Sequence, residues 1–227
     1  MVITFLKRFI FTSIGRKVVM ALSGLLLGGF MLVHLAENLL LFKGELFYNG
    51  WVDFLLSNPV TPYLEVGLLA LFLAHIVTGA WVRLEDFVNA PSGYEHRKWQ
   101  GGRTVGSATM LYTAAAILFY LAYHLFTFRF VDHSMGFYQM VTSAFRSKVF
   151  VAIYIAGSAA LALHLSHGMQ SAFQTLGVSH PKYTPLIKAG GLLVAVSMTG
   201  FALISLYYLL GIDLKAAETG FQVVVIR

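Results

Sequence analysis

The sequence predicts an all-α integral membrane bundle of five transmembrane helices, organised as a single domain over residues 1–227. Two observations carry that reading. Of the 227 residues 58% are hydrophobic and 11% charged, with a mean hydropathy of +0.74, a balance that a soluble domain of this size could not hide in a core. The apolar residues also fall into five runs between charged or Pro/Gly-marked breaks, each near the ~20 residues that a helix needs to cross a ~30 Å hydrocarbon layer.

The chain starts with MVITFLKRFIFTSIGRK, basic and partly apolar but without a small-residue cleavage site before the next run, and reads as an amphipathic segment on the membrane surface. Lys7, Arg8, Arg16 and Lys17 would face anionic lipid headgroups there. The first span covers 18–42, the second 62–84, the third 105–128, the fourth 149–173 and the fifth 186–211, with no internal repeat and no soluble domain. With the N-terminus inside, ten of the sixteen basic residues are cytoplasmic: Lys7, Arg8, Arg16, Lys17, Arg83, Arg97, Lys98, Arg103, Lys182 and Lys188. Lys43, Arg129, Arg146, Lys148, Lys215 and Arg227 fall outside. The first span, with Arg16 and Lys17 before it and Lys43 after it, dominates such a bias, so the expected topology is N-in, C-out. The basic residues punctuate apolar runs, so the net charge of +6 belongs to topology and no nucleic-acid partner is expected.

Cysteine is absent, which excludes disulfides, thiolate metal sites, an iron-sulfur cluster of the chain's own and covalently attached haem. A metal would rest on His, Met or carboxylate. Four spans each carry a deep histidine, and an ionisable group inside a span marks function by default: His34, His75, His124 and His164. His34 and His124 come late in outward-running spans and belong to the outer half. His75 and His164 come late in inward-running spans and belong to the inner half. Counted from Arg16-Lys17 and Arg83, the two layers lie ~8 residues apart, on the order of 12 Å along the membrane normal. Each layer supplies the two axial imidazoles of one non-covalent b-type haem, an arrangement suited to electron transfer because neither axial position is left for oxygen.

Each such ligand needs an acceptor for its other N–H, most simply a backbone carbonyl one turn earlier. Room for the macrocycle is available from Gly24, Gly28, Gly29, Gly79, the run Ala114 to Ala116, Gly157 and Gly168, although Gly24 and Gly28 also form a GxxxG packing motif. The histidines have a second reading as a proton relay or as interhelical hydrogen-bonders. His167, one turn after His164, is either an alternative ligand, a haem-propionate partner or part of a proton path, with a supporting role beside His164 favoured. His96, His133 and His180 fall in loops and are expected to be solvated. Cationic partners for propionates at the inner boundary are Arg16, Lys17, Arg83, Arg103 and Lys182, each also explained as a topology or lipid contact. Ser23 and Ser166 read as propionate or helix-packing hydroxyls. Glu37, one turn past His34, is a candidate quinone-site proton acceptor, or an interfacial carboxylate bonded to Asn38. Glu65 carries the same two readings.

Two segments are more specific. SIGRKVVMALSGLLLGGFMLVHLAENLL (13–40) and HLSHGMQSAFQTLG (164–177) resemble the cytochrome b subunit of succinate:quinone oxidoreductases (succinate dehydrogenase and fumarate reductase), in the five-helix, di-haem class called type B, and the resemblance extends over essentially the whole chain. It implies that His34 and His124 bind the haem iron distal from the cytoplasmic subunits, and His75 and His164 the proximal one. It further implies a flavoprotein partner with FAD and an iron-sulfur subunit, both on the cytoplasmic side, with electrons passing through two haem b groups to or from a quinone such as menaquinone. The setting implied is the bacterial cytoplasmic membrane, and a higher-order oligomer of the complex is compatible with it. The chain itself has no dinucleotide-binding loop or succinate-binding arginine cluster, so it is not expected to oxidise succinate alone. The competing functions are the cytochrome b subunit of another membrane dehydrogenase, such as a hydrogenase, and a proton-relay transporter without haem.

Overall fold

The structure, a computed structural model, describes residues 8, 9, 11–89 and 104–212. Lys7, His96, Arg97, Lys98, Arg103, Lys215 and Arg227, to which roles were assigned above, lie outside them. Among the described residues the chain is all-α, and five helices are long and apolar enough to cross a membrane: Ser13–Lys43, Thr61–Val88, Val105–Arg129, Lys148–Thr175 and Thr184–Leu210. Large apolar side chains on them lie open to the surroundings, among them Leu26, Leu69, Phe119, Leu186 and Leu203. Exposure on that scale is stable only against lipid.

The first span begins earlier than expected, as helix α1 (Ser13–Leu39). Thr12 explains the start: its hydroxyl accepts the Gly15 N–H at 2.9 Å, satisfying one of the unpaired donors of the first turn. Arg16 and Lys17 are therefore inside the helix. A 3-10 turn, Leu40–Lys43, closes this span. Gly44, at a φ of 91° that disfavours any side chain, redirects the chain into a second helix, α2 (Glu45–Ser57).

Helix α3 (Thr61–Val88) opens with Pro in its first turn, where the missing N–H costs nothing, and runs four residues past the expected end. Helix α4 (Val105–His124) is started by Thr104 and Ser107, each side chain accepting the other's backbone N–H. It gives way immediately after His124 to a π-helical turn, Leu125–Arg129. Gly136, at a φ of 84°, precedes the short α5 (Phe137–Ala144). The fourth span is α6 (Lys148–Thr175). The fifth is divided at the fully buried Met198 into α7 (Thr184–Ser197) and α8 (Thr199–Leu210), where the ladder tightens to a Met198 N–H to Ala195 carbonyl bond of 3.3 Å.

Two compact units emerge. One is built from 11–31, 59–89, 104–110 and 163–194, and takes in all of α3. In it Gly28 meets Leu165 and the Met169 sulfur, and Gly191 meets Met169, so small residues let these helices close on one another. The other is built from 32–58, 111–162 and 195–212. There α2 packs on α5 through the rings of Tyr48 and Tyr138, 6.3 Å apart, and Asn49 accepts the Tyr138 N–H at 2.8 Å. The Tyr208 hydroxyl caps the Leu41 carbonyl at 3.0 Å.

Candidate functional site

Each unit contains one pair of histidines. In the first, His75 on α3 and His164 on α6 have ring centroids 6.3 Å apart and planes at 76°. His75 Nδ1 lies 3.1 Å from the Met20 carbonyl oxygen and 3.3 Å from Ser23 Oγ, both on α1. The Ser23 proton is spent on the Val19 carbonyl at 2.7 Å, so the hydroxyl oxygen and the carbonyl both present lone pairs to His75. That environment favours the proton on Nδ1 and leaves Nε2 with its lone pair. The backbone acceptor comes from a neighbouring helix, not from one turn earlier on α3 as the sequence suggested, because α1 runs close enough at Gly24. A Cβ on Gly24 would stand 2.9 Å from His75 Cε1 and 3.3 Å from its Nδ1. Gly24 thus makes room for the imidazole.

In the second unit His34 on α1 and His124 at the end of α4 have ring centroids 6.0 Å apart and planes at 86°. His124 Nδ1 is 2.9 Å from the hydroxyl of Tyr154 on α6, again a partner from another helix. His34 Nδ1 is 3.8 Å from a Glu37 carboxylate oxygen, close enough for charge to be felt but long for a hydrogen bond. Asn38 donates to the His34 carbonyl at 2.8 Å, so its amide is used within its own turn. Phe201 covers His34 at 5.7 Å, and Phe128, brought round by the π turn, lies 5.5 Å from His124. Outside the spans, burial and the Glu37 charge push the Tyr48 phenol up to about 12.

The spacing of both pairs has a chemical meaning. A metal–imidazole bond of about 2 Å, with a ring nitrogen about 1.1 Å from its ring centre, sets the centroids of two imidazoles on opposite sides of one metal roughly 6.2 Å apart. The observed separations of 6.0 and 6.3 Å are of that length. Among the described residues no cluster of three or more His, Asp or Glu is grouped to hold a bare metal ion, so the donor sets stop at two nitrogens. Two nitrogens suit a metal that brings its own equatorial ligands.

The other candidates are placed differently from one another. The ring facing His75 is that of His164, while the Cβ of His167 sits where a Cβ on Gly106 would approach to 2.9 Å. Arg16 is engaged: its guanidinium pairs with Glu85 on α3, donates to the Phe11 carbonyl at 2.7 Å and lies 5.2 Å over the Trp81 ring, leaving only Nε buried without a partner. Lys17, Arg83 and Lys182 are exposed, as is Glu65. Ala114, Ala115 and Ala116 are exposed too, so this run does not supply interior space, and Gly29 has nothing within 4 Å of where its Cβ would be. Gly157 instead admits the Tyr120 ring, which a Cβ would strike at 2.5 Å. His133 is not simply solvated: its Nε2 lies 2.8 Å from the Phe128 carbonyl and its ring stacks on Phe137 at 4.5 Å. His180 is exposed and accepts the Lys182 N–H at 3.2 Å.

Sequence reasoning passed over the roles of four residues. Tyr154 was hidden among aromatic residues, although Phe150 and Tyr154 at i, i+4 share a helix face with its own pattern. Ser23 was read for packing or propionates, not as a partner of His75. Of the two residues that occupy Arg16, Glu85 lies just past the expected end of its span and Trp81 near that end, where it reads as an interfacial aromatic. No protein-family model, curated protein or solved structure matches this chain.

Proposed function

We propose that this chain is the membrane-anchoring di-haem cytochrome b subunit of a succinate:quinone oxidoreductase, carrying electrons between an iron-sulfur subunit and a quinone such as menaquinone. The observation that carries the reading is the presence, in each unit, of two histidines from different spans with ring centroids 6.0 and 6.3 Å apart. The segments 13–40 and 164–177, with their resemblance to the type B class, supply the identity of the complex. Bound at these pairs, two b haems would supply reversible one-electron transfer without an open coordination position.

The chain's own residues hold and tune. Met20 and Ser23 fix the tautomer and rotation of His75, and Gly24 gives that ring its seat. Tyr154 does the equivalent for His124. Glu37, beside His34 and next to the end of its span, is placed to take up a proton released when a quinol is oxidised, and the apolar spans exclude water elsewhere. The flavoprotein and iron-sulfur partners belong on the cytoplasmic side, with this chain N-in, C-out in the bacterial cytoplasmic membrane.

Single replacements test the assignment. His75→Ala or His164→Ala lowers the haem content of the purified complex from two per chain to one, and His34→Ala or His124→Ala removes the other haem. Retention of both haems in His164→Ala moves the ligand to His167. Retention of both in all four variants contradicts the proposal.

A further inference from the structure

The two histidine pairs are not supported alike. On His75 the acceptor is a backbone carbonyl, which every residue of a helix offers and which no substitution removes. On His124 it is a side chain, the phenol of Tyr154, at 2.9 Å. That phenol is held with unusual firmness. Tyr154 is only 4% exposed, and its ring is stacked on Phe150 at 4.7 Å and met edge-on by Phe145 and Tyr120 at 5.1 Å and by Phe128 at 6.1 Å. Ser158 binds its backbone carbonyl at 2.7 Å. A ring enclosed on so many sides has one rotamer, and its hydroxyl is aimed at one place.

The direction of the hydrogen bonds follows from the chemistry of ligation. A metal bound at Nε2 needs the imidazole proton on Nδ1, so the Tyr154 oxygen accepts from His124. Its own proton then requires an acceptor in an apolar cage. Tyr120 is the neighbour that can provide it: its ring stands edge-on 5.1 Å from that of Tyr154, and Gly157 secures that close approach. In the reverse direction Tyr154 would donate to a lone pair on Nδ1, the ring proton would sit on Nε2, and that nitrogen would have no lone pair for a metal.

We infer that Tyr154, backed by Tyr120, is the positioning residue of the His34–His124 centre: it locks the Nδ1–H tautomer and the ring angle of His124 and, by accepting that proton, raises the electron donation of the imidazole. This inference rests on the haem reading above. An N–H that donates gives its ring partial imidazolate character, which favours ferric iron and lowers the midpoint potential. Removing the acceptor raises it.

The test is Tyr154→Phe in the full complex, with haem per chain, redox titration and the low-spin electron paramagnetic resonance signal as readouts. The haem that disappears in His34→Ala identifies the centre concerned, and the other haem serves as an internal control for folding. The expected result is two haems retained, a rise in the potential of the His34–His124 haem on the order of a tenfold change in its reduced-to-oxidised ratio, ~59 mV for one electron, and a changed resonance line for that haem alone. Two haems with both potentials and both signals unchanged would overturn the inference and leave the haem reading intact. Absence of haem from the unaltered complex would overturn both. If Tyr154→Phe loses one haem, Tyr120→Phe decides, because it keeps the Tyr154 ring and hydroxyl and removes only the acceptor of its proton: a shift of the same haem supports the positioning role, and none refutes it.

Discussion

At the residue scale, the candidate centres depend on how single side chains are seated, and Gly24 makes this testable. Replacing a helical glycine by alanine ordinarily stabilises a helix by about 1 kcal/mol. At Gly24 the added methyl would stand 2.9 Å from the His75 ring, so the imidazole must turn and give up its Met20 carbonyl. Gly24→Ala is therefore expected to cost one haem per chain, or broaden its signal, while Gly29→Ala, with nothing within 4 Å, leaves both haems and raises thermal stability slightly. Haem content and the unfolding midpoint in detergent measure the two together. The four histidines were legible in the sequence because polar groups are rare in spans and these stand out. Their partners were not, because Met20 and Tyr154 come from other helices, 55 and 30 residues away in the chain, and no local pattern encodes an interhelical angle. The same holds for Arg16: its charge was visible, its use by Glu85 and Trp81 was not.

At the scale of elements, the five spans were readable because length and hydropathy are set by the bilayer itself. Their ends were readable less well. Thr12 extends the first helix backwards, and a helix such as Thr61–Val88 continues beyond the point where charged residues begin, since nothing stops a helix at the membrane boundary. The two short helices, Glu45–Ser57 and Phe137–Ala144, were missed because attention to hydropathy alone treats whatever joins two spans as loop. These connecting elements also allow the proposed topology to be tested. The chain has no cysteine, so a single introduced thiol reports without background. With the N-terminus inside, Ser57→Cys is labelled in intact cells by a membrane-impermeant maleimide, and Ser179→Cys is labelled only after the membrane is opened. The opposite pattern reverses the orientation and moves the partner subunits to the other face.

At the scale of the whole molecule, the central claim is that four histidines on four spans are two iron-binding pairs and not a proton relay. A relay would need no iron and no fixed ring-to-ring distance; two axial imidazoles need both. The most direct test is a reduced-minus-oxidised spectrum of the complex purified in detergent after co-expression with its partner subunits, with extracted haem counted per chain. The account predicts two non-covalent b-type haems, both low-spin, in each chain. A folded complex containing no haem would contradict it and return the four histidines to proton transfer.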